Sequence, residues 1–441
     1  MSIISFDELS PWLSKPEDRK APLRGHLNAD VAIIGGGYTG LAAALALRKQ
    51  GVSVALVEQD FCGSGASGRN AGHLTPTIGK DLPTLVKRLG ERQTGDLVGF
   101  AEEAVRHTEK TIVRLSLDCD YHPAGNVVAG LHPHHRPPLE HAARVAERVG
   151  APFHFLDEAE VRARNLPQFV KFGAIEANGG HLHPGKYVQE LRRAALKAGV
   201  EVFEGSAVTS IKQKGGRVHL RTASGSLDCD KLVLATNAYT PSTLGRMAHR
   251  VFPLRVSLFR TRPLSAAEWD KVGWSRREGI YTAHESLENF RPLPDGRILG
   301  GSKVVQYAFG SKLAPGLQPS SFRTLADLFR ERFPELRDVA IEEFWGGWIA
   351  MTVDFLPFFG TDKSGRIVHA MGYNGHGIAQ ATLAGSMAAD LVMDRKNRWV
   401  ELLRRRSPPL PPEPFRWLGV KALLGYLGGV DAKIDRDLSR P

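Results

Sequence analysis

Val31-Ala32-Ile33-Ile34-Gly35-Gly36-Gly37-Tyr38-Thr39-Gly40 is the stretch on which the fold turns. Val31 to Ile34 is an unbroken apolar run of the kind that forms a buried parallel strand. It runs directly into G-x-G-x-x-G spacing. Gly35 permits the tight turn, Gly37 lets the backbone approach a pyrophosphate, and Gly40 allows close helix–strand packing. Leu41 to Gln50 reads as the helix, with Gly51 past its end, and Val52 to Val57 as a second strand ending in Glu58. A diphosphate is then placed on unpaired N–H groups at the positive end of the helix, beside Tyr38 and Thr39. The Glu58 carboxylate is placed to accept ribose hydroxyls and to repel a 2′-phosphate. Strand, turn, helix, strand and acid in that order point to a dinucleotide site. They do not separate FAD from NAD.

The full 441-residue chain sets bounds on this reading. Its 42% hydrophobic and 24% charged residues are ordinary globular usage, enough for one large or two medium domains. The sequence contains no apolar run of membrane-spanning length, and Met1 to Lys20 lacks the layout of a secretory signal. Cys62, Cys119 and Cys229 are odd in number and widely spaced. They predict neither disulfides nor a metal site, and favour a reducing cytoplasm. The net charge of +11 is spread along the chain, so no nucleic-acid partner is expected.

Nucleotide-type strand–helix segments recur through the chain. Helical spacing predicts a long helix from Gly90 to Ser116, and others over Tyr187 to Ala198, Phe322 to Phe333 and Ile378 to Met393. Asp230 to Ala235 is a buried-strand run. Between Pro241 and Phe344 short strands predominate. The expected architecture is α/β: a Rossmann-like cofactor domain of the glutathione reductase type, assembled from discontinuous segments, plus a β-rich substrate domain. The expected division is an N-terminal extension over 1–29 and cofactor-domain segments 30–95, 179–240 and 345–395. Substrate-domain segments 96–178 and 241–344 and a basic, Pro-rich tail over 396–441 complete it. His132-Pro133-His134-His135, followed by Arg136-Pro137-Pro138, reads as a solvated loop and not as a metal site.

Four segments carry a resemblance. After Glu58 comes Gly63-Ser64-Gly65-Ala66-Ser67-Gly68-Arg69-Asn70-Ala71-Gly72, and later Leu232-Val233-Leu234-Ala235-Thr236-Asn237-Ala238-Tyr239-Thr240. Then come Trp345-Gly346-Gly347 with Asp354-Phe355-Leu356-Pro357, and Ala370-Met371-Gly372-Tyr373-Asn374-Gly375-His376-Gly377. In this order they resemble the D-amino acid oxidase-like FAD oxidoreductases, and within them most of all the gamma-glutamylputrescine oxidoreductases. The resemblance implies FAD held by Gly35, Gly37, Tyr38, Thr39, Gly40, Glu58 and Gln59. It further implies contacts from Gly65, Ala66, Ser67, Arg69, Asn70, Ala71, Gly72, His73, Val208, Thr236, Asn237 and Ala238. From the C-terminal half it implies Gly347, Gly372, Asn374, Gly375, His376, Gly377 and Ile378. Some relatives tether flavin through a cysteine or a histidine. The matching positions here are Gly347 and Asn70, so non-covalent FAD is expected.

The resemblance also implies the chemistry: oxidation of a carbon–nitrogen bond in a small amine or amino acid, with a hydride equivalent passing to flavin N5. Oxygen, a quinone or another electron-transfer partner would then accept the electrons. Lys303, in Gly301-Ser302-Lys303-Val304-Val305, is similar in context to a lysine that sits over the flavin in sarcosine-oxidase-like relatives. A surface lysine on a strand edge is the plainer reading of the same residue. Relatives acting on amino acids hold the carboxylate with a lysine two residues after the Gly-His-Gly turn. Ala379 stands there, which implies an amine without an adjacent carboxylate, or another cation such as Arg69. His376 and Tyr373 are pocket candidates with equally good backbone roles in the turn. Other readings of the family are a dehydrogenase of a hydroxy compound or a modifier of a tRNA wobble base.

The tail combines Arg404-Arg405-Arg406 and several prolines with Trp417, Val420, Leu424 and Leu427 at helical spacing. This stripe fits either packing on the enzyme itself or peripheral contact with a membrane.

Overall fold

The computed structural model describes residues 10–13, 16–240, 246–313, 319–405 and 407–438. Arg406 therefore lies outside the described residues. Two eight-stranded sheets organise the chain. The first is built around strand Gly25–Ile34, which pairs in parallel with Gly225–Leu234 on one side and Val54–Val57 on the other. Glu201–Phe203 and Ile367–Met371 extend it in parallel, and Phe358–Thr361 closes one edge antiparallel. Ala32, Ile33, Ala55, Leu56, Leu232 and Val233 are all fully buried at its centre, as two-sided burial by helices requires. Helix Tyr38–Arg48 packs against helix Gly377–Val392, and Gly385 makes the approach possible, because a Cβ there would lie 2.4 Å from that of Ala42.

The second sheet runs in the order Ile341–Met351, Phe252–Thr261, Ile298–Gln306, Glu288–Pro292, Gly279–Thr282, Asn126–Gly130, Phe172–Glu176 and Phe153–Leu156. Its aromatic core includes Phe259, Phe290, Phe329 and Phe333, whose rings meet edge-on or tilted.

Several sequence-based boundaries shift. Trp345 to Gly347, expected in the cofactor domain, lie in strand Ile341–Met351, which pairs with Phe252–Thr261 in the second sheet. The long helix spans Leu82–Leu115 with a break at Gly90 (φ 81°), so helical periodicity from Gly90 onward captures only its second part. That helix packs Phe100 against Phe359 and Trp399, in the core of the first sheet. Residues from 96 to 115 are thus shared between the two sheets, since Val98 packs on Val145 and Val149 of helix Arg136–Val149, which lies against the second. The first strand begins at Gly25, inside the expected extension. Ahead of it, Trp12 is buried edge-on against Trp345, with its indole N–H donating to the Asn70 carbonyl at 3.0 Å. The histidine run is no loop either. Pro133–His135 forms a 3₁₀ turn, and Arg136–Val149 continues as an α-helix whose first turn tolerates the two prolines because its N–H groups have no intrahelical acceptor.

Candidate active site

One cavity of about 540 Å³ runs from the first glycine turn to the second sheet. Gly35 (φ 106°) turns the chain off the first strand, and a Cβ there would lie 2.8 Å from the Ala235 carbonyl oxygen. Gly37 starts the helix with no side chain of its own to cap it, so the helix start is available to an anion except at Tyr38 N–H, which Ser67 Oγ accepts. Glu58 is nearly buried at the end of the second strand. It accepts hydrogen bonds from the N–H of Gly36 at 2.7 Å and of Asp60 at 3.1 Å, and burial pushes its carboxyl above the usual range.

The loop after Glu58 holds its shape through its own side chains. Asn70 Nδ2 donates to the carbonyls of Ala66 and Ser67, each at 3.0 Å, while its Oδ1 accepts from Gly72 N–H at 2.9 Å. Ser67 Oγ accepts from Tyr38 N–H at 3.1 Å, which fastens the loop across the helix start. Arg69 donates to the carbonyls of Ser64 (2.8 Å) and Gly346 (3.4 Å), so its guanidinium bridges this loop to the second sheet. A Cβ on Gly347 would approach the Arg69 Cβ to 3.0 Å.

The second helix start lies opposite. Gly375 (φ 89°) and His376 lead into helix Gly377–Val392, and Gly375 to Ile378 line the cavity. Tyr373 OH meets Thr39 Oγ1 at 2.8 Å, tying this turn to the first helix. His376 Nδ1 meets Thr77 Oγ1 at 3.0 Å, and burial lowers its pKa to about 4. His73 is lowered to about 3 and His183 and His369 to about 4, burial being the first cause each time. In the unfolded chain these rings take up protons near pH 6.5. Their contribution to stability is therefore complete above about pH 6.5 and drains away as pH falls toward 4, where only the unfolded chain binds the extra protons. In scanning calorimetry Tm should fall markedly faster from pH 6.5 to 4.5 than from pH 8.5 to 6.5. Equal slopes would contradict the buried, neutral histidines.

Most of the expected cofactor residues line this one cavity, Gln59, Val208, Thr236, Asn237 and Asn374 among them. Gly40, Gly372 and Ala238 are not among its lining residues. Gly40 makes room for Gly35, Gly372 N–H donates to Asn237 Oδ1 at 3.0 Å, and Ala238 is buried in a 3₁₀ turn. Lys303 is also absent from the lining. Its neighbour Ser302 lines the cavity, and Lys303 points elsewhere, toward Asp435 (3.1 Å), Asp431 (3.5 Å) and Glu288 (3.6 Å). Ser302 (φ 73°) and Lys303 (φ 39°) both lie in the left-handed region where the pairing with Phe252–Thr261 is irregular, and this local turn of the backbone sends the two side chains apart.

Sequence reasoning missed the far wall. Leu254, Val256, Ile349 and Met351 form it together with Val420, Leu424 and Leu427 of the C-terminal helix Phe415–Leu438. The stripe on that helix was legible, but its destination was not. Lys80 and Glu285 are further lining residues without a motif to mark them.

The geometry is that of a two-sheet flavoenzyme, and the family follows. Residues 30–391 match the FAD dependent oxidoreductase (DAO) family model, and the chain belongs to that family; its cofactor is FAD. A probable oxidoreductase OrdL of Rhizobium meliloti is 30% identical over 399 residues, covering 89% of each chain. The gamma-glutamylputrescine oxidoreductase of Escherichia coli is 28% identical, covering 92% of this chain and 94% of its own. Among solved structures, a glycine oxidase from Geobacillus kaustophilus superposes with a TM-score of 0.74 at 20% identity, over 87% of this chain and 100% of its own. This chain is thus an FAD-dependent oxidoreductase with relatives that act on amines and amino acids.

Proposed function

We propose that the protein oxidises the carbon–nitrogen bond of a small amine or amino acid to an imine. The bond to hydrogen on the carbon next to nitrogen breaks, its electron pair leaves as a hydride equivalent, the nitrogen lone pair closes the carbon–nitrogen double bond, and the resulting iminium loses its N–H proton to solvent to give the imine. When bound, FAD supplies the acceptor for that hydride at N5, and oxygen or another acceptor later removes the electrons. The observation that carries this reading is the single cavity joining two glycine-rich helix starts to the wall of the second sheet.

The residues of this chain have three tasks. Open N–H groups at Gly37 and neighbouring positions bind the diphosphate of the cofactor. The start of helix Gly377–Val392 favours negative charge beside it through its backbone alone, since His376 is neutral. The apolar wall excludes water and positions the substrate. Ala379 is buried in its helix and does not line the cavity, which supports a substrate lacking the carboxylate contact of amino-acid-oxidising relatives. Lys80 does line it, with its Nζ 4.5 Å from the centre of the Phe355 ring, and is the cation best placed for a remote anionic group. The arrangement fits FAD held without a covalent bond. All three cysteines are free and buried, which supports a reducing, cytoplasmic setting.

Anaerobic titration tests the reading. At least one of a panel of polyamines, N-methyl amino acids and D-amino acids should bleach the flavin absorbance, and hydrogen peroxide on admitting air would identify oxygen as acceptor. Bleaching by hydroxy acids and by no amine would replace the proposal with a dehydrogenase of hydroxy compounds.

A further inference from the structure

Helix Phe415–Leu438 is apolar on two opposite sides. Val420, Leu424 and Leu427 face the cavity, while Phe415, Leu418, Tyr426 and Val430 are between 38% and 70% exposed. Among the described residues nine large hydrophobic side chains are exposed, and five sit on this helix: these four, and Leu423, which also lines the cavity. Phe309 and Leu313 are two more, on a loop tied to the start of the helix through Glu413, which accepts from Tyr307 OH at 2.8 Å and Gly310 N–H at 2.9 Å. A helix that is apolar all round is ordinarily buried all round. Here the inner side has the enzyme to cover it and the outer side has water.

Charge is sorted across the same helix. From Phe415 to Val430 it carries Arg416 and Lys421 and no acid. Its carboxylates come later and turn inward. Asp431 accepts from the N–H groups of Glu285 and Ser286, each at 2.9 Å, and Asp435 pairs with Lys303 at 3.1 Å and Arg332 at 3.0 Å. Lys421 and Lys433 remain exposed. No helix among the described residues is long and apolar enough to cross a membrane.

We propose that the outer face of this helix docks flat on an anionic phospholipid bilayer. Exposed Leu418 and Tyr426 would enter the boundary between headgroups and acyl chains, and Lys421 and Lys433 would meet lipid phosphates. Arg416 is paired with Glu413 at 3.0 Å, and a second copy on this face is disfavoured because a two-fold contact would bring the exposed Lys421 and Lys433 of both copies together. The inference is independent of which substrate is oxidised.

The test uses the full-length, FAD-loaded protein. It should sediment with vesicles of phosphatidylcholine mixed with phosphatidylglycerol, remain in solution with phosphatidylcholine alone, and be released by added salt. The double variant Leu418→Glu/Tyr426→Glu should lower the bound fraction at least about tenfold while keeping flavin absorbance and Tm, because both side chains are more than half exposed. Wild-type protein that stays in solution with the anionic vesicles would overturn the proposal. So would equal sedimentation with both vesicle types, or undiminished binding by the variant. A concentration-dependent dimer in sedimentation velocity that the variant abolishes, without vesicle binding, would assign the face to a second copy instead.

Discussion

Gly40→Val should yield protein without a flavin band. A Cβ at this position would lie 2.0 Å from the Gly35 carbonyl oxygen and 3.3 Å from Ile33 Cγ2, and the nearer atom is backbone that cannot step aside. The strand and helix would have to separate, which moves the open N–H groups of the helix start away from the diphosphate they must meet. Gly51→Ala is the matching control. Gly51 has φ 80° with nothing within 4 Å of an added methyl group, so the change strains one exposed turn by about 1 kcal/mol and leaves the cavity alone. The ratio of flavin to protein absorbance after purification separates the two. Wild-type flavin content in Gly40→Val would show that the glycine turn does not hold the cofactor.

Arg192→Met should destabilise the fold by about 3–5 kcal/mol at neutral pH, the usual consequence of stranding one member of a buried ion pair. Arg192 donates to both oxygens of Glu204, at 3.1 and 2.9 Å, and to Asp18 at 2.8 Å, and the Glu204 side chain is wholly buried. Glu204 also accepts from Cys62 N–H and Lys20 N–H, each at 2.8 Å, so it anchors the start of the flavin loop. Burial pushes the Glu204 carboxyl up, but Arg192 and these N–H groups together hold it below the usual range. Without Arg192 burial wins and the folded-state pKa rises above the unfolded one. The variant's deficit should then be greatest above that raised folded-state pKa and shrink as pH falls through it and the group protonates. Urea unfolding at pH 7 and pH 5 measures both statements. A loss under about 1 kcal/mol at pH 7 would show that the pair is replaceable by water.

The cavity lining was legible wherever the chain needs a particular backbone. Gly35, Gly37, Glu58 and the Gly375–Gly377 turn announce themselves because anion contact at a helix start restricts both conformation and side-chain size within a few residues. Trp345 to Gly347 are recognisable as a motif yet point to the wrong sheet, because their apolar and small residues suit either sheet and only the pairing with Phe252–Thr261 decides. Lys303 illustrates the same limit. Its strand is recognisable, but a shift of one residue exchanges the two faces, and a bulge lies where its strand pairs between Val256 and Leu258.

Local order therefore determined the nucleotide turn, the acid that follows it, and most of the helices, since these depend on interactions a few residues apart. Tertiary structure alone decided that a helix beginning at Phe415 would roof a cavity whose floor begins at Gly35, and that Asp431 and Asp435 would claim Lys303. Such contacts join segments hundreds of residues apart, and their energy comes from burial and charge pairing that exist only once both sheets are in place.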